Sequence, residues 1–421
     1  MKIVHLCSYD IAGGAARSAY RLHTGLKKMH QDSIMFVENK QSEDPSVVVF
    51  NPTADFFTRL KRYVRWRRIN RDFEHYRKTL PSWLELFSDD RTRYGTPLIN
   101  QIPHSDVINL HWVARFMDYE AFFSSVPQRT PIVWTLHDMN AFTGGCHYDN
   151  GCRKFEDSCG ACPQLGSKVE NDLSRGIWGR KKNVFDNADK SRLHIVTPSK
   201  WLATEAQRSS LFKQFSVSVI PYGFNQEVFA QRDAYGFRKA FDISEESQVL
   251  LFIADYVANQ RKGFHLLIDA VRSLDKNSNL VLLSVGEEMP KLDTDIRHIH
   301  LGRIYNDRLL SLIYSSADVF IVPSLQDNLP NTVLEAMSCG TPVVGFDTGG
   351  IPDMVFHGKT GLLAQPKNVN DLSEKIQWMI DHPDDRKQMG INARKHVVEK
   401  FTPEIQATRY IDLYSKLLSS S

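Results

Sequence analysis

The chain has no apolar run long enough to cross a bilayer: the longest, Val249 to Ala254, falls far short of the ~20 residues a spanning helix needs. Charge of one sign is not in excess either. A formal net charge of +3 over 421 residues gives no electrostatic case for nucleic acid as the main partner. Cysteine is sparse, six in all, which excludes a disulfide scaffold in a chain of this length. The opening Met1-Lys2-Ile3-Val4-His5-Leu6-Cys7 lacks the longer apolar core and small-residue cleavage site of a signal peptide, and reads instead as a first β-strand. Short internal repeats are missing, and low complexity is confined to the terminal serines. These absences set the expectation of a cytoplasmic protein.

What is present is a soluble globular composition in a chain too long for one ordinary core, so two domains are expected. Short apolar runs alternate with amphipathic stretches throughout. In the first half the strand-like runs are Ile3–Cys7, Ser33–Val37, Val107–Leu110, Ile132–Leu136, His194–Thr197 and Ser216–Ile220, with a helical pattern from Ala15 to Met29 between the first two. The second half continues with Val249–Ala254, Leu280–Val285, Val319–Val322 and Pro342–Phe346. Strands alternating with helices predict an α/β fold with parallel sheets covered on both faces. Turn residues at Pro221-Tyr222-Gly223 suggest a boundary, giving domains 1–223 and 224–421, with a C-terminal helix over 402–419 that can pack back on the first. Two such domains would face each other across a cleft at the carboxyl ends of their strands, where α/β proteins bind ligands.

The most informative stretch runs from Pro323 to Met337. It follows the strand Val319–Val322, which places Asp327 in the loop beyond that strand's carboxyl end. Pro330 breaks the chain, and Asn331 is the expected N-cap of a helix carrying Glu335 about one turn in. Two carboxylates then converge from a loop and a helix, and each can accept two hydroxyl hydrogen bonds from a sugar diol. Read alone, they are equally a loop acid and a solvated helix acid. Gly349-Gly350-Ile351-Pro352 places a glycine pair before a Pro-started helix, which would leave backbone N–H groups open to an anion. Arg261-Lys262-Gly263 forms a basic turn between the strand Val249–Ala254 and a helix beginning near Phe264. It could neutralise a diphosphate or simply be solvated.

Two further segments stand out. Cys146, Cys152, Cys159 and Cys162 fall in one polar loop, 144–163, ending in a Cys-x2-Cys knuckle. Four thiolates at that spacing suit a structural tetrahedral zinc, with His147 as a substitute ligand; free thiols are the other reading. Arg59, Lys61, Arg62, Arg65, Arg67, Arg68 and Arg71 share a helical stretch with Phe56, Phe57, Tyr63 and Trp66. Such a helix can lie on an anionic membrane surface or cover the core as a solvated face.

Taken together, Gly13-Gly14 near the first strand, His137 in Thr135-Leu136-His137-Asp138, Lys262-Gly263, the acid-x7-acid element Asp327 to Glu335, and Gly349-Gly350 resemble the family 4 retaining glycosyltransferases of the GT-B fold, polysaccharide-biosynthesis type. The run Val-Leu-Glu-Ala-Met-x-Cys-Gly-Thr-Pro-Val-Val strengthens the resemblance, which covers nearly the whole chain and is strongest from about Leu250 to Leu363. It implies two Rossmann-like domains, an acceptor-side 1–223 and a nucleotide-sugar-binding 224–421. Glu335 would bind the donor ribose, and Asp327 would face the transferred sugar beside Asn328 and Leu329. Arg261 and Lys262 would hold the diphosphate, Gly13 and Gly14 would let the first loop approach donor or acceptor, and His137 would reach the transferred hexose from the other domain. Two positions depart from the family pattern: its first acid is usually Glu, and its arginine normally lies several residues before the lysine.

The resemblance further implies transfer of a hexose, with retention and without a catalytic metal, to a glycan or polyprenyl-linked acceptor in lipopolysaccharide or capsule synthesis. The leaving phosphate would accept the acceptor's proton, so no dedicated base is expected. An enzyme of that kind would be cytoplasmic and peripheral to the inner face of the membrane. Asp293-Thr294-Asp295 spells an acid-x-acid string like the metal site of the other large transferase class, yet no apolar strand leads into it, and a solvated loop is expected. The competing expectations are an epimerase or phosphorylase on the same plan, or a binding module that holds nucleotide sugar without releasing nucleoside diphosphate.

Overall fold

A computed structural model describes residues 1–53, 55–80, 86–274, 279–288 and 296–419. The Asp293-Thr294-Asp295 string lies outside the described residues. The chain forms two compact units, Met1–Gly223 with Pro403–Ser421, and Phe224–Thr402.

The first unit is built on β1 (Lys2–Tyr9), β2 (Asp32–Asn39), β3 (Val47–Val49), β4 (Val107–Leu110), β5 (Ile132–Thr135), β6 (Leu193–Thr197) and β7 (Ser216–Val219). They form a parallel sheet in the order β3-β2-β1-β4-β5-β6-β7. Every residue of β4 and β5 is buried, the mark of central strands covered on both faces. The helix Gly14–Lys28 buries Ala16, Ala19, Leu22 and Leu26, spaced so that one stripe faces the sheet. Against it packs the C-terminal helix Pro403–Ser419, and a Cβ at Gly25 would meet the Pro403 carbonyl at 3.2 Å. That helix is pinned to the sheet by buried polar bonds as well as apolar contact. Asn109 Nδ2 donates to Tyr414 Oη at 2.7 Å, and Thr135 Oγ1 lies 2.9 Å from Tyr410 Oη.

The second unit carries β8 (Gln248–Tyr256), β9 (Leu280–Glu287), β10 (Arg297–His300), β11 (Val319–Val322), β12 (Val343–Phe346) and β13 (Gly361–Ala364), again all parallel, in the order β10-β9-β8-β11-β12-β13. Its core gathers Leu250, Phe252, Leu282, Ile321, Val344 and Phe346 from the strands and Leu267, Val271, Leu372 and Ile376 from covering helices.

Three strands lie outside the runs read from the sequence: β3, β10 and β13. All three are sheet edges. An edge strand is short and half solvated, so Val48 and Val49 point outward and β10 reads Arg-His-Ile-His. Two helix starts also differ from expectation. Pro330, not Asn331, occupies the N-cap of the helix Asn331–Ser338, and no side chain caps it. After Gly350 the chain makes only a single 3-10 turn, Ile351–Asp353.

Candidate functional site

In the second sheet β8 lies between β9 and β11, so the strand order reverses there and the two outgoing loops part to leave a crevice at the carboxyl ends. The loop after β8 carries Arg261 and Lys262, and the loop after β11 carries Asp327. The structure brings all three together. Lys262 Nζ donates to Asp327 Oδ2 at 2.6 Å, and Arg261 Nη1 stands 3.7 Å from the same oxygen while donating to the Gln326 carbonyl at 2.8 Å. The Leu325 N–H donates to the Arg261 carbonyl at 2.7 Å. Gly263, at φ +75°, approaches the other loop so closely that a Cβ there would lie 1.8 Å from the Pro323 carbonyl oxygen. Burial raises the Asp327 carboxyl, but Lys262 and Arg261 outweigh it and hold the group below its ordinary value. A buried carboxylate and two cations therefore form one charged cluster with its backbone fixed.

Glu335 is almost fully buried on the helix Asn331–Ser338, and Tyr314 Oη donates to its Oε2 at 2.9 Å. Tyr314 carries no signal in the sequence; its only distinction is a place on the helix Asp307–Ser316 that packs alongside. Asn328 and Leu329 are buried beside Asp327, and the Asn328 N–H donates to Asp327 Oδ1 at 3.1 Å.

The glycine pair does something other than expected. The Gly350 N–H donates to the Asp327 carbonyl at 2.9 Å instead of lying open to an anion, and no full helix follows to add its dipole. Gly349 sits at φ +58° with an imaginary Cβ only 1.9 Å from that same carbonyl oxygen. Only glycine allows this contact. The pair clamps the backbone of Asp327.

In the first sheet the order reverses between β1 and β4. Gly13, at φ +83° and the N-cap of Gly14–Lys28, lies in the loop leaving β1, and a Cβ there would meet nothing within 4 Å. The start of this loop is held by Asp10, which accepts from the N–H groups of Gln41 and Ser42. His137 follows β5 directly. Its Nε2 lies 3.1 Å from His111 Nδ1, and its Nδ1 lies 2.8 Å from Tyr222 Oη. Both ring nitrogens are thus engaged inside the unit. Burial pulls His137 down to about 4 against the opposing pull of Asp138, so the ring is neutral at neutral pH. Asp138 in turn accepts from Trp112 Nε1 at 2.9 Å and pairs with His147 Nδ1 at 2.6 Å. His147 Nε2 bonds Ser88 Oγ at 2.9 Å, which leaves no nitrogen for a metal.

Cys146, Cys152, Cys159 and Cys162 line one small cavity of about 20 Å³. Among the described residues, however, no group of three or more His, Cys, Asp or Glu side chains is placed to hold a metal ion, so the zinc expectation gains no support. Two of the thiols pack into the apolar clusters of the unit. Cys159 Sγ accepts the Gly144 N–H at 3.1 Å and joins the core around Phe142 and Phe155, while Cys162 packs with Phe87 and Leu165. Burial pushes Cys159 up to about 12 and Cys162 to about 11. The turn after His137 is braced by the fully buried Lys181, whose Nζ donates to the Thr143 carbonyl at 3.1 Å and also to that of Asn140.

No residue of the basic helix Phe56–Glu74 is fully buried, and Phe56 and Phe57 are 72% and 73% exposed, while Phe73 near its end packs against the cluster of Phe87, Leu165 and Ile177. Its later residues Trp66, Ile69, Asn70 and Phe73 wall a cavity of about 670 Å³, closed elsewhere by Tyr9, Glu38, Trp112 and Arg115 among others. Among the described residues, no helix is long and apolar enough to cross a membrane.

Residues 236–396 match the family described as glycosyl transferases group 1. An uncharacterized glycosyltransferase of Methanocaldococcus jannaschii is 30% identical over 240 residues, covering 55% of this chain and 61% of the relative. N-acetyl-alpha-D-glucosaminyl L-malate synthase of Bacillus anthracis is 26% identical over 206 residues, 47% of this chain and 53% of that protein. The chain thus spans less than two thirds of the length of these curated relatives. Among solved structures, sucrose-phosphate synthase of Thermosynechococcus elongatus superposes with a TM-score of 0.68 at 20% identity, covering 100% of both chains. HepE of Anabaena, in complex with UDP and glucose, gives 0.66 at 16% identity over 99% of each chain. Two all-parallel sheets with reversed strand order, a charged cluster at the switch point of the second, and these likenesses lead to one statement: the chain has the GT-B fold, and residues 236–396 of it match the glycosyl transferases group 1 family.

Proposed function

We propose that the protein is a retaining glycosyltransferase that moves a hexose from a nucleotide diphosphate sugar to a glycan or lipid-linked glycan, with chemistry that needs no metal. The observation that carries this reading is the Arg261–Lys262–Asp327 cluster at the β8/β11 switch point, one helix away from the buried Glu335. Departure of a diphosphate develops negative charge, and cations already fixed in place stabilise it without reorganisation. Asp327 holds Lys262 in position, and the arriving diphosphate would share that lysine. As Lys262 turns toward phosphate, the carboxylate is released to accept hydroxyls of the sugar. Glu335 would accept the ribose hydroxyls while Tyr314 keeps its second oxygen oriented. Asn328 and Leu329 would shape the sugar pocket, and Gly349-Gly350 would act through the Asp327 backbone they clamp. Gly13 and Gly14 would give the first loop its close approach, and His137 would serve the transferred hexose as a neutral ring. The leaving phosphate would take the acceptor's proton, so retention follows without a separate base.

For the acceptor, the large cavity of the first unit offers aromatic faces (Tyr9, Trp66, Trp112) for sugar rings and Arg115 for an anionic group. The exposed aromatic and basic helix that walls it suits an acceptor carried on a polyprenyl lipid at an anionic membrane surface. The names of the relatives agree with the ligand class, since HepE of Anabaena is described with UDP and glucose. The test is turnover of a panel of UDP- and GDP-hexoses, read as release of nucleoside diphosphate. Binding of a donor without any release, with or without glycan and polyprenyl acceptors, would make the protein a binding module and end the proposal.

A further inference from the structure

A line of three histidines runs through the first sheet, and the reaction outlined above uses only its last member. His5 sits within β1 and is wholly buried; His111 follows β4 and is 3% exposed; His137 follows β5. His5 Nδ1 lies 2.9 Å from His111 Nε2, His111 Nδ1 lies 3.1 Å from His137 Nε2, and His137 Nδ1 lies 2.8 Å from Tyr222 Oη. Successive rings are 5.1 and 5.4 Å apart, and the Tyr222 ring stacks on His137 at 5.6 Å and 18°. At the far end His5 Nε2 is buried with no hydrogen-bond partner among the described residues.

We propose that His5 and His111 are positioning residues that fix the ring orientation and the tautomer of His137 through this chain, which ends on Tyr222. The inference rests on His137 serving the transfer site.

The logic is one of counting protons. A neutral imidazole has one N–H and one bare nitrogen, so each contact between two rings holds a single proton. If Tyr222 donates to His137 Nδ1, then His137 donates from Nε2 to His111, and His111 donates from Nε2 to His5. If His5 donates from Nδ1, every bond reverses and Tyr222 becomes the acceptor. No mixed arrangement satisfies the chain: all three rings share one tautomer, and all three must change together. A buried N–H without a partner at His5, or a buried lone pair, is the cost of closing the series.

Burial keeps the chain neutral, and the groups that face it do not reverse this. His23 lies 6.0 Å from His5, its own nitrogens bonded to Ser33 and Ser46, with Asp44 at 3.7 Å and Lys27 beyond. Asp138 beside His137 has its carboxylate taken by His147, Trp112 and the Asn140 N–H. Burial lowers His5 and His111 well below the ordinary histidine value.

The experiment is two-bond ¹H–¹⁵N correlation of the full chain labelled at histidine, with rings assigned by single substitution. Expected are three neutral rings in one common tautomer, and a changed or mixed His137 tautomer in both His5→Gln and Tyr222→Phe, which perturb the chain from opposite ends. His5→Gln should also lower kcat for nucleotide-sugar turnover by roughly tenfold with the donor KM unchanged, because orientation is lost and not binding. Thermal unfolding identifies a variant that fails to fold; the wild-type spectrum decides the common tautomer without any variant. Different tautomers in the wild-type rings, or a His137 signal indifferent to both folded variants, would overturn the relay even if turnover is normal. A common tautomer in a protein that never releases nucleoside diphosphate would keep the relay and remove the transfer reading.

Discussion

Lys262 and Asp327, 65 residues apart in sequence, meet at 2.6 Å between Nζ and Oδ2, so the turn after β8 and the loop after β11 are tied by charge at the point where the second sheet reverses its order. The two side chains are 25% and 8% exposed, enough burial for the pair to matter and enough opening on the lysine for a ligand to reach it. Lys262→Ala should therefore damage turnover more than folding. Arg261 remains near Asp327 in that variant, so stability should drop modestly, while kcat should fall on the order of a hundredfold, as when one preorganised donor to a developing anion is removed. Steady-state kinetics beside thermal unfolding check this. An equal loss in donor affinity with kcat preserved would mean the lysine only binds.

Gly349→Ala is a test of the clamp on Asp327. The added Cβ would need to occupy space 1.9 Å from the Asp327 carbonyl oxygen, at a φ of +58° that alanine adopts only with strain. The loop must move, and the carboxylate with it. A loss of roughly 1–3 kcal/mol in unfolding free energy is expected for a strained position of this kind, accompanied by loss of turnover. Full activity in Gly349→Ala would show that the Asp327 backbone need not be held.

Acid should destabilise the protein through its buried histidines. Burial lowers His5 and His111, and brings His23 and His137 each to about 4. In the unfolded chain these groups take up protons near pH 6.5, while the folded chain cannot. Stability is therefore present above pH 6.5 and lost as pH falls from there toward 4. At pH 5 each fully suppressed histidine accounts for roughly 2 kcal/mol of that loss. Depressed carboxyls such as Asp327 lose their contribution only at lower pH, as they protonate. Denaturant unfolding between pH 7 and 5 should show the slope, and His137→Gln should reduce it.

The helix Phe56–Glu74 should bring the protein to anionic vesicles at low salt and release it as salt rises. Replacing Phe56 and Phe57 by Ser should weaken binding without changing the fold, since neither side chain is buried. Equal sedimentation with neutral vesicles, or none with either, would remove the membrane role.

Much of this architecture is legible in the residues because parallel sheets write themselves as short apolar runs. β4 and β11 match the runs Val107–Leu110 and Val319–Val322 end for end. The edge strands β3 and β10 were hidden because much of their surface is solvated, whereas β13 is mostly buried and was missed although its Gly-Leu-Leu-Ala run is apolar. The resemblance named Lys262, Asp327 and Glu335; that Lys262 and Asp327 meet is a tertiary fact. What local pattern could not give were partners brought from a distance: Tyr314 on Glu335, His111 and Tyr222 on His137, and Trp112 on Asp138. His5 and His111 lay in plain sight in or just past strand-like runs, and a polar ring in such a place was the available signal. Nor could local pattern give the use of the Gly350 N–H, since an open N–H and one spent on Asp327 look alike in sequence.

The central claim is transfer from a nucleotide sugar with retention, and the anomeric configuration of the product tests it most directly. The protein should be supplied with an α-linked nucleotide hexose and an accepted glycan, and the new anomeric proton followed by NMR from the earliest turnover, with chelator present. The account predicts an α-linked product formed at the same rate before and after brief chelation. A β-linked product, or transfer that waits on added magnesium or manganese, would contradict it.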